Sequence, residues 1–409
     1  MKKKLSYFST ILFFFSSMAN GQNIWTQKAN FGGAAREGAT SFSIGTKGYI
    51  TTGNNVGGVG LTNDLWEWDG NNNTWSQKAN FGGTPRQFSA AFSIGLKGYV
   101  GCGKDASSDQ NDFWEYSQLT NIWTQKANFG GTVRNQAVAF SIGGKGYIGT
   151  GYDANAGVYK NDFWEYDTLT DVWTQKAPMP VAGGRAVAIG FSIGNSGYIG
   201  MGDDNNTLYY KDFWKWNQGT NTWTQKGDFG GTGREYSTGF SIGAKGYVGC
   251  GNDINPGFLS DFWEYDTISD LWTQKTNFGG TTRYVCTSFP IGSKGYIGTG
   301  YDGVDRNDFW EYSTTSDSTN SINSSNIVNT FFIYPNPFTL QTKIKFGYNV
   351  KNTTLIIYNS SGQIVRQLKN ISEQEVILQK GNLQNGVYFI QINEDGNIKS
   401  NLTKLIILD

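Results

Sequence analysis

Apolar and polar residues alternate in short runs along most of this chain, and the runs recur. Residues 137–142, Ala-Val-Ala-Phe-Ser-Ile, have the length and period of a half-buried strand. A Gly-bounded turn leads to a second run, Gly146 to Gly151. A longer polar loop precedes a third, Asp162-Phe163-Trp164-Glu165-Tyr166. A short turn, Asp167 to Asp171, leads to a fourth, Val172 to Gln175. Aromatic and β-branched residues fill the runs, while Gly, Asn and Asp fill the gaps. Nothing in this stretch has the 3.6-residue period of a helix.

The four-strand unit recurs about every 49 residues. Its last strand carries Trp25, Trp75, Trp123, Trp173, Trp223 and Trp272. Its first carries Phe42, Phe92, Phe140, Phe191, Phe240 and Phe289, each followed within a few residues by Gly-Tyr-[Ile/Val]. Its third opens at Asp64, Asp112, Asp162, Asp212, Asp261 and Asp308. An arginine precedes every first strand: Arg36, Arg86, Arg134, Arg185, Arg234 and Arg283. Four antiparallel strands at such a period make one propeller blade. The array begins with a lone fourth strand at Trp25 and ends on a third strand at Tyr312. Pairing those two ends gives six complete blades and removes two exposed sheet edges. The expected fold is all-β: a six-bladed β-propeller closed by the N-terminal strand, followed by a small antiparallel β-sandwich.

The Arg, the Gly-Tyr-[Ile/Val], the Asp-x-Trp-x-[Tyr/Trp] and the fourth-strand Trp together resemble the kelch family, galactose oxidase-like propellers, over residues 23–313. One feature departs from it. Where kelch second strands end in Gly-Gly, this chain has Thr52, Cys102, Thr150, Met201, Cys250 or Thr299 before the last glycine.

The chain ends are of a different kind. Lys2, Lys3 and Lys4 precede an apolar run, Leu5 to Met18, and then Ala19 and Gly21. This reads as a signal peptide over 1–21 with mature start Gln22, the apolar run being too short to span a bilayer. No later segment reads as transmembrane. The propeller occupies 22–313, and 314–329 is a Ser/Thr/Asn-rich linker. Residues 330–409 alternate over Thr342–Phe346, Thr354–Tyr358, Val376–Leu378, Tyr388–Ile392 and Leu402–Leu408, near the lower size for one core. This tail carries Tyr334-Pro335-Asn336-Pro337-Phe338, then Tyr358 to Gln363, then Asn385-Gly386-Val387-Tyr388-Phe389, and Lys404-Leu405-Ile406. It looks like the type A C-terminal sorting domain of the type IX secretion system. The resemblance implies a partner, the type IX machinery. It also implies a location, secreted or on the outer-membrane cell surface of a Gram-negative bacterium. The final pair, Leu408-Asp409, departs from the usual basic ending.

Composition narrows the chemistry. The 409 residues include 55 glycines and no histidine. That excludes Ser–His and Cys–His catalysis and any imidazole metal site. Lys+Arg and Asp+Glu are both 33, but the leader and tail are basic, so the repeat region is acidic. Nucleic-acid binding does not fit that balance. No metal or other cofactor is expected. Isolated Asx residues two places after each second-strand glycine (Asn55, Asp105, Asp153, Asp204, Asp253 and Asp302) read as turn chemistry. Cys102, Cys250 and Cys286 read as small buried fillers; a Cys250–Cys286 disulfide stays open.

Loops between second and third strands vary in length and composition, and they share a face with the arginines. That face is the expected binding face. The six arginines are candidate ligand clamps for carboxylates or sulfates; their presence in every unit equally suits a structural role inside each blade. Glu37, Glu235, Tyr210 and Lys211 break the repeat. The functional expectation is a non-catalytic module binding an unidentified protein or glycan. A carbohydrate-active enzyme, such as a sialic-acid mutarotase-like propeller, and a structural component of an adhesive matrix stand as alternatives.

Overall fold

The structure is a computed structural model of the 409-residue chain. It describes residues 23–204, 209–254, 257–314, 331–346, 350–359, 364–394, 397–398 and 403–408. The proposed signal peptide and nearly all of the proposed linker lie outside the described residues. Two contact units emerge, Met1–Asp317 and Ser318–Asp409.

The first unit holds six four-stranded antiparallel sheets. The first blade is Thr40–Ile44, Lys47–Thr51, Leu65–Asp69 and Thr74–Lys78, lettered here as strands a to d. In the sixth blade, strands a to c are Thr287–Ile291, Lys294–Gly298 and Phe309–Ser313. Its fourth is Ile24–Lys28, which pairs antiparallel with Phe309–Ser313 from Ile24↔Ser313 to Lys28↔Phe309. The ring closes as the repeat count requires. Strand a alternates buried and half-buried residues, strand b is buried almost throughout, and strand d is largely exposed. Burial is therefore greatest in strand b, which is covered on both faces by the neighbouring blades, and least in the outermost strand d.

Neighbouring blades interlock through one aromatic knob. The strand-a Phe of each blade lies against the strand-b Gly of the next. A Cβ on Gly98 would sit 2.2 Å from the Phe42 ring, and one on Gly146 would sit 2.0 Å from Phe92. The same contact closes the ring, Phe289 against Gly48 at 2.1 Å. Only a residue without a side chain admits the ring at this distance, so the Gly of Gly-Tyr-[Ile/Val] is a packing requirement. A second tie runs outside it. The strand-d indole donates to the preceding blade, as in Trp123 Nε1 to Ala79 O at 3.0 Å and Trp25 Nε1 to Thr276 O at 3.2 Å.

The residue that replaces the first kelch glycine explains the departure seen in the sequence. Thr52, Cys102, Thr150, Met201, Cys250 and Thr299 all take φ between 56° and 60°. The left-handed turn is retained, and a side chain is tolerated in it at a cost of roughly 1–2 kcal/mol each.

The second unit is two packed sheets. Phe331–Tyr334, Gln341–Phe346 and Glu375–Gln379 form one. Ile364–Ile371, Thr353–Asn359 and Gly386–Glu394 form the other, with Asn397–Ile398 and Thr403–Ile407 both on Gly386–Glu394. Phe338, Ile344, Phe346, Leu355, Ile357, Ile390, Leu405 and Ile407 fill the space between them.

The interlock gives a direct test. Gly146→Ala forces a methyl into the Phe92 ring, and overpacking of this kind costs about 1–3 kcal/mol. Thermal unfolding should show a lowered midpoint. Gly144→Ala, whose added methyl would meet nothing within 4 Å, should leave the midpoint unchanged.

Candidate functional site

Each arginine enters its blade from the segment joining strands d and a, and turns inward. Arg134 Nη1 donates to Asp162 Oδ1 at 2.6 Å and to Thr150 O at 2.9 Å. Its Nη2 donates to Asp162 Oδ2 at 2.9 Å, and its Nε to Thr132 O at 3.1 Å. Asp162 Oδ2 also accepts from Trp164 Nε1 at 2.8 Å. Arg36–Asp64, Arg86–Asp112, Arg185–Asp212, Arg234–Asp261 and Arg283–Asp308 repeat the pair. In five blades the guanidinium also lies 4.7 to 5.1 Å from a Phe ring. In the fourth blade that Phe is Met179, and Arg185 instead stacks 3.9 Å from Tyr210. Burial would raise the Asp162 carboxyl, but the Arg134 hydrogen bonds and charge outweigh it and hold it below the ordinary value.

All six arginines are at most 2% exposed. Their Nη groups are directed at carbonyls, carboxylates and threonine hydroxyls of the same repeat. Each guanidinium bridges the end of strand b and the start of strand c, and all six are turned away from solvent. Two of the Asx residues serve turns. Asp105 Oδ1 accepts from Ser107 N at 2.8 Å and Ser108 N at 2.9 Å. Asp153 Oδ1 accepts from Ala156 N at 3.0 Å.

What the arginine segments present to the axis is the residue two places further on. Gly38, Phe88, Gln136, Val187, Tyr236 and Val285 form a ring at the channel mouth, all with φ between 49° and 61°. Five are not glycine, and Val187 and Val285 are β-branched, the least tolerant type in this conformation. Backbone bonds pass from blade to blade around the ring: Phe88 N to Gly38 O at 2.9 Å, Gln136 N to Phe88 O at 3.1 Å, Tyr236 N to Val187 O and Val285 N to Tyr236 O at 3.2 Å. The side chains meet inside it. Phe88 and Tyr236 have ring centroids 5.7 Å apart, and Gln136 Nε2 donates to Tyr236 Oη at 2.6 Å. The aromatic cluster continues outward from Tyr236 to Tyr284 at 5.6 Å, and from Tyr284 to Phe258 at 4.7 Å and Tyr301 at 6.0 Å.

Carboxylates surround this cluster. Glu235 Oε1 accepts from Tyr209 Oη at 2.9 Å and from Asn252 Nδ2 at 3.2 Å. Tyr159 Oη donates to Asp203 Oδ2 at 3.4 Å. Burial, then the charges of Glu235 and Asp204, push the Asp203 carboxyl up to about 6. Burial and Asp305 likewise raise Glu37. Burial and the charges of Glu235, Asp203 and Glu37 raise the Tyr236 phenol. A cavity of about 470 Å³ lies beside them, lined by Tyr209, Asn252, Asp253, Ile254, Gly257 and Phe258.

Of the repeat-breaking residues, Glu37 and Glu235 thus come together around the tyrosines. Tyr210 serves Arg185 and donates to Asp204 at 2.7 Å. Lys211 enters the structure through its carbonyl, which accepts from Phe229 N. Tyr159, Tyr209, Tyr236 and Tyr284 did not stand out in the sequence. The signal existed: the two positions after each arginine read Glu-Gly, Gln-Phe, Asn-Gln, Ala-Val, Glu-Tyr and Tyr-Val while their flanks barely change. Among the described residues no group of three or more acidic or Cys side chains could hold a metal.

In the second unit the signature residues converge. Asn336 Oδ1 accepts from Ile406 N at 2.8 Å, and Phe338 bridges Ile407 in parallel. Tyr334–Pro335 and Asn336–Pro337 are cis. Thr342 Oγ1 donates to Pro335 O at 2.6 Å, and Tyr388 Oη to Gln384 O at 2.8 Å. Gly386 has φ 151°. Lys404 pairs with Phe389 through the backbone, within the strand that Asn336 holds.

Two outcomes follow from these contacts. The folded state binds the Asp203 proton more tightly than the unfolded chain, whose carboxyl titrates near 3.8. This group's contribution to stability is therefore complete below about pH 4 and is lost as pH rises through about 6. Asp203→Asn should leave the thermal midpoint unchanged near pH 4 and raise it near pH 7, read from a midpoint-against-pH series. Asn336→Ala should cost about 1 kcal/mol for the lost bond to Ile406. Amide exchange over Thr403–Ile407 should speed up while the propeller's rates stay unchanged.

Comparison with known proteins agrees with both units. Residues 332–408 match the family described as secretion system C-terminal sorting domain. A solved structure of YjhT superposes with a TM-score of 0.60 at 15% identity, over 69% of this chain and 95% of that one. That likeness speaks for the propeller fold alone. β-Agarase A of Zobellia galactanivorans is 31% identical over 104 residues. The match takes in 24% of this chain and 18% of that protein, so this chain spans less than a fifth of that relative's length. Among the described residues no helix is long and apolar enough to cross a membrane. The chain is a six-bladed β-propeller followed by a domain, residues 332–408, that matches the secretion system C-terminal sorting domain family, which marks export to the cell surface or the medium of a Gram-negative bacterium.

Proposed function

We propose that the exported propeller is a glycan-recognition module that takes neutral carbohydrate at the mouth formed by the b–c and d–a loops. The observation that carries this reading is the tyrosine–carboxylate cluster: Tyr209 and Asn252 on Glu235, Tyr159 on Asp203, and the rings of Tyr236, Tyr284 and Phe258 beside a cavity. Aromatic faces cover the apolar side of a sugar, and carboxylates and amides take its hydroxyl groups. The same carboxylates repel sulfate and uronate groups, and the arginines that would have attracted them are committed inside the blades. Strained backbone at the mouth suits a site whose side chains are held for a ligand.

A second reading has its own observation. Burial and the neighbouring charge of Glu235 push the Asp203 carboxyl up to about 6, where a carboxyl can act as the acid of glycoside chemistry. Binding and turnover are separable in one experiment. The purified exported protein is applied to an array of neutral, sulfated and uronate glycans, and bound neutral glycans are then incubated and analysed for shortened products. Saturable binding to neutral glycans, weakened at least tenfold in Glu235→Gln and in Tyr209→Ala with unchanged folding, is expected. Binding confined to anionic glycans, or equal in the variants, overturns the assignment of this mouth. Shortened products lost in Asp203→Asn would make the site catalytic.

A further inference from the structure

Cys250 and Cys286 come from different blades and meet. Cys250 follows strand b of the fifth blade, Lys245–Gly249, and is fully buried. Cys286 precedes strand a of the sixth, Thr287–Ile291, and lines the channel wall at the mouth. Both sulfurs belong to one apolar cluster with Phe240, Phe262 and Phe278. Cys286 packs against the buried cluster that holds Cys250. The backbones on either side are already joined, Gly251 N donating to Arg283 O at 2.9 Å.

The repeat shows that this meeting is particular to one interface. The corresponding pairs elsewhere are Thr52 with Ser89, Cys102 with Ala137, Thr150 with Ala188, Met201 with Ser237, and Thr299 with Ala39. Cys102 packs in a cluster with Ala137 and so faces a methyl group where Cys250 faces a thiol. Only the fifth and sixth blades place sulfur on both sides. The chain is also exported, out of the compartment that keeps thiols reduced.

We infer that Cys250 and Cys286 are a cross-linking site, oxidised during or after export to a disulfide that ties the fifth blade to the sixth beside the channel mouth. The oxidant is an external disulfide. The thiolate of Cys286, the less buried of the two, attacks one sulfur of that disulfide and expels the other as a thiol. The thiolate of Cys250 then attacks the Cys286 sulfur of the mixed disulfide and expels the second thiol. Two S–H bonds are lost, one S–S bond forms, and the two electrons and two protons end on the expelled thiols. The contact with Cys286 and burial push the Cys250 thiol up, and the Arg283 guanidinium opposes that rise.

The test uses the full chain. It is refolded in a glutathione redox buffer rich in the oxidised form, denatured, alkylated with iodoacetamide and digested for mass spectrometry. One alkylated cysteine, Cys102, is expected, with the peptides bearing Cys250 and Cys286 joined and lighter by about 2 Da. The oxidised chain should unfold at a higher temperature than the same chain in dithiothreitol. Cys286→Ser, which puts into this place the residue found at 89 and 237, should show no response to dithiothreitol. Three alkylated cysteines after oxidation, a link through Cys102, or glutathione adducts without a cross-link would overturn the inference.

Discussion

Ring closure is the constraint on which the rest depends. The sixth blade has only three strands until Ile24–Lys28 arrives from the other end of the propeller. Every blade also needs two neighbours, because its strand-a Phe fills a neighbour's strand-b Gly and its own Gly receives a Phe. An open array would leave Phe289 without its socket and Gly48 without its ring. The interlock thus makes the ring cooperative: closing the last interface satisfies the first. It also sets the blade count locally, since the angle between neighbours is fixed by a contact with no room for adjustment.

Within that ring each blade is held by its own arginine. A buried guanidinium with bidentate bonds to one Asp and a further bond to a strand-b carbonyl joins strands b and c at the end where the loops leave. Removing one partner of such a pair leaves a buried charge unpaired, a loss of about 3–5 kcal/mol. Six copies of this clamp give loops of unequal length a rigid base. The consequence for function is a division between positions. The arginine is repeated because every blade needs it; the two residues after it differ in every blade because the mouth does not need them to be alike. Where Val187 and Val285 hold left-handed backbone, the ring has accepted strain that glycine at 38 avoids.

The period, the strand order and the closure were legible in the sequence because they rest on local alternation and on the count of strands at the two ends. The destination of the arginines was not, since a charged residue beside a variable loop suits a ligand and an internal carboxylate equally well. What decides is the partner Asp, 25 to 28 residues away in sequence and brought within reach only when strands b and c pair. The Asp203–Glu235 neighbourhood was hidden for the same reason: it joins the b–c loop of one blade to the d–a segment of the next. In the second unit, Ile364–Ile371 was missed because Arg366 stands on the face that Leu368 shares with the core and the register shifts against Thr353–Asn359, which breaks the alternation.

The signature of the tail, by contrast, reads as one structure once folded. Its first and last words lie side by side: Asn336 holds the Ile406 amide, Phe338 is buried against the last strand, and Leu408 N donates to Phe338 O at 2.9 Å. Asn336, Phe338 and Tyr388 are therefore constrained by the fold itself. Tyr334, Pro335 and Pro337 are different, for they stand exposed on the same short segment. An exposed aromatic on a segment pinned at Asn336 and Phe338 costs little entropy to recognise, since its backbone is already held before a partner arrives. The motif thus combines residues that build the surface with residues that are the surface, and loss of the last strand would remove both at once.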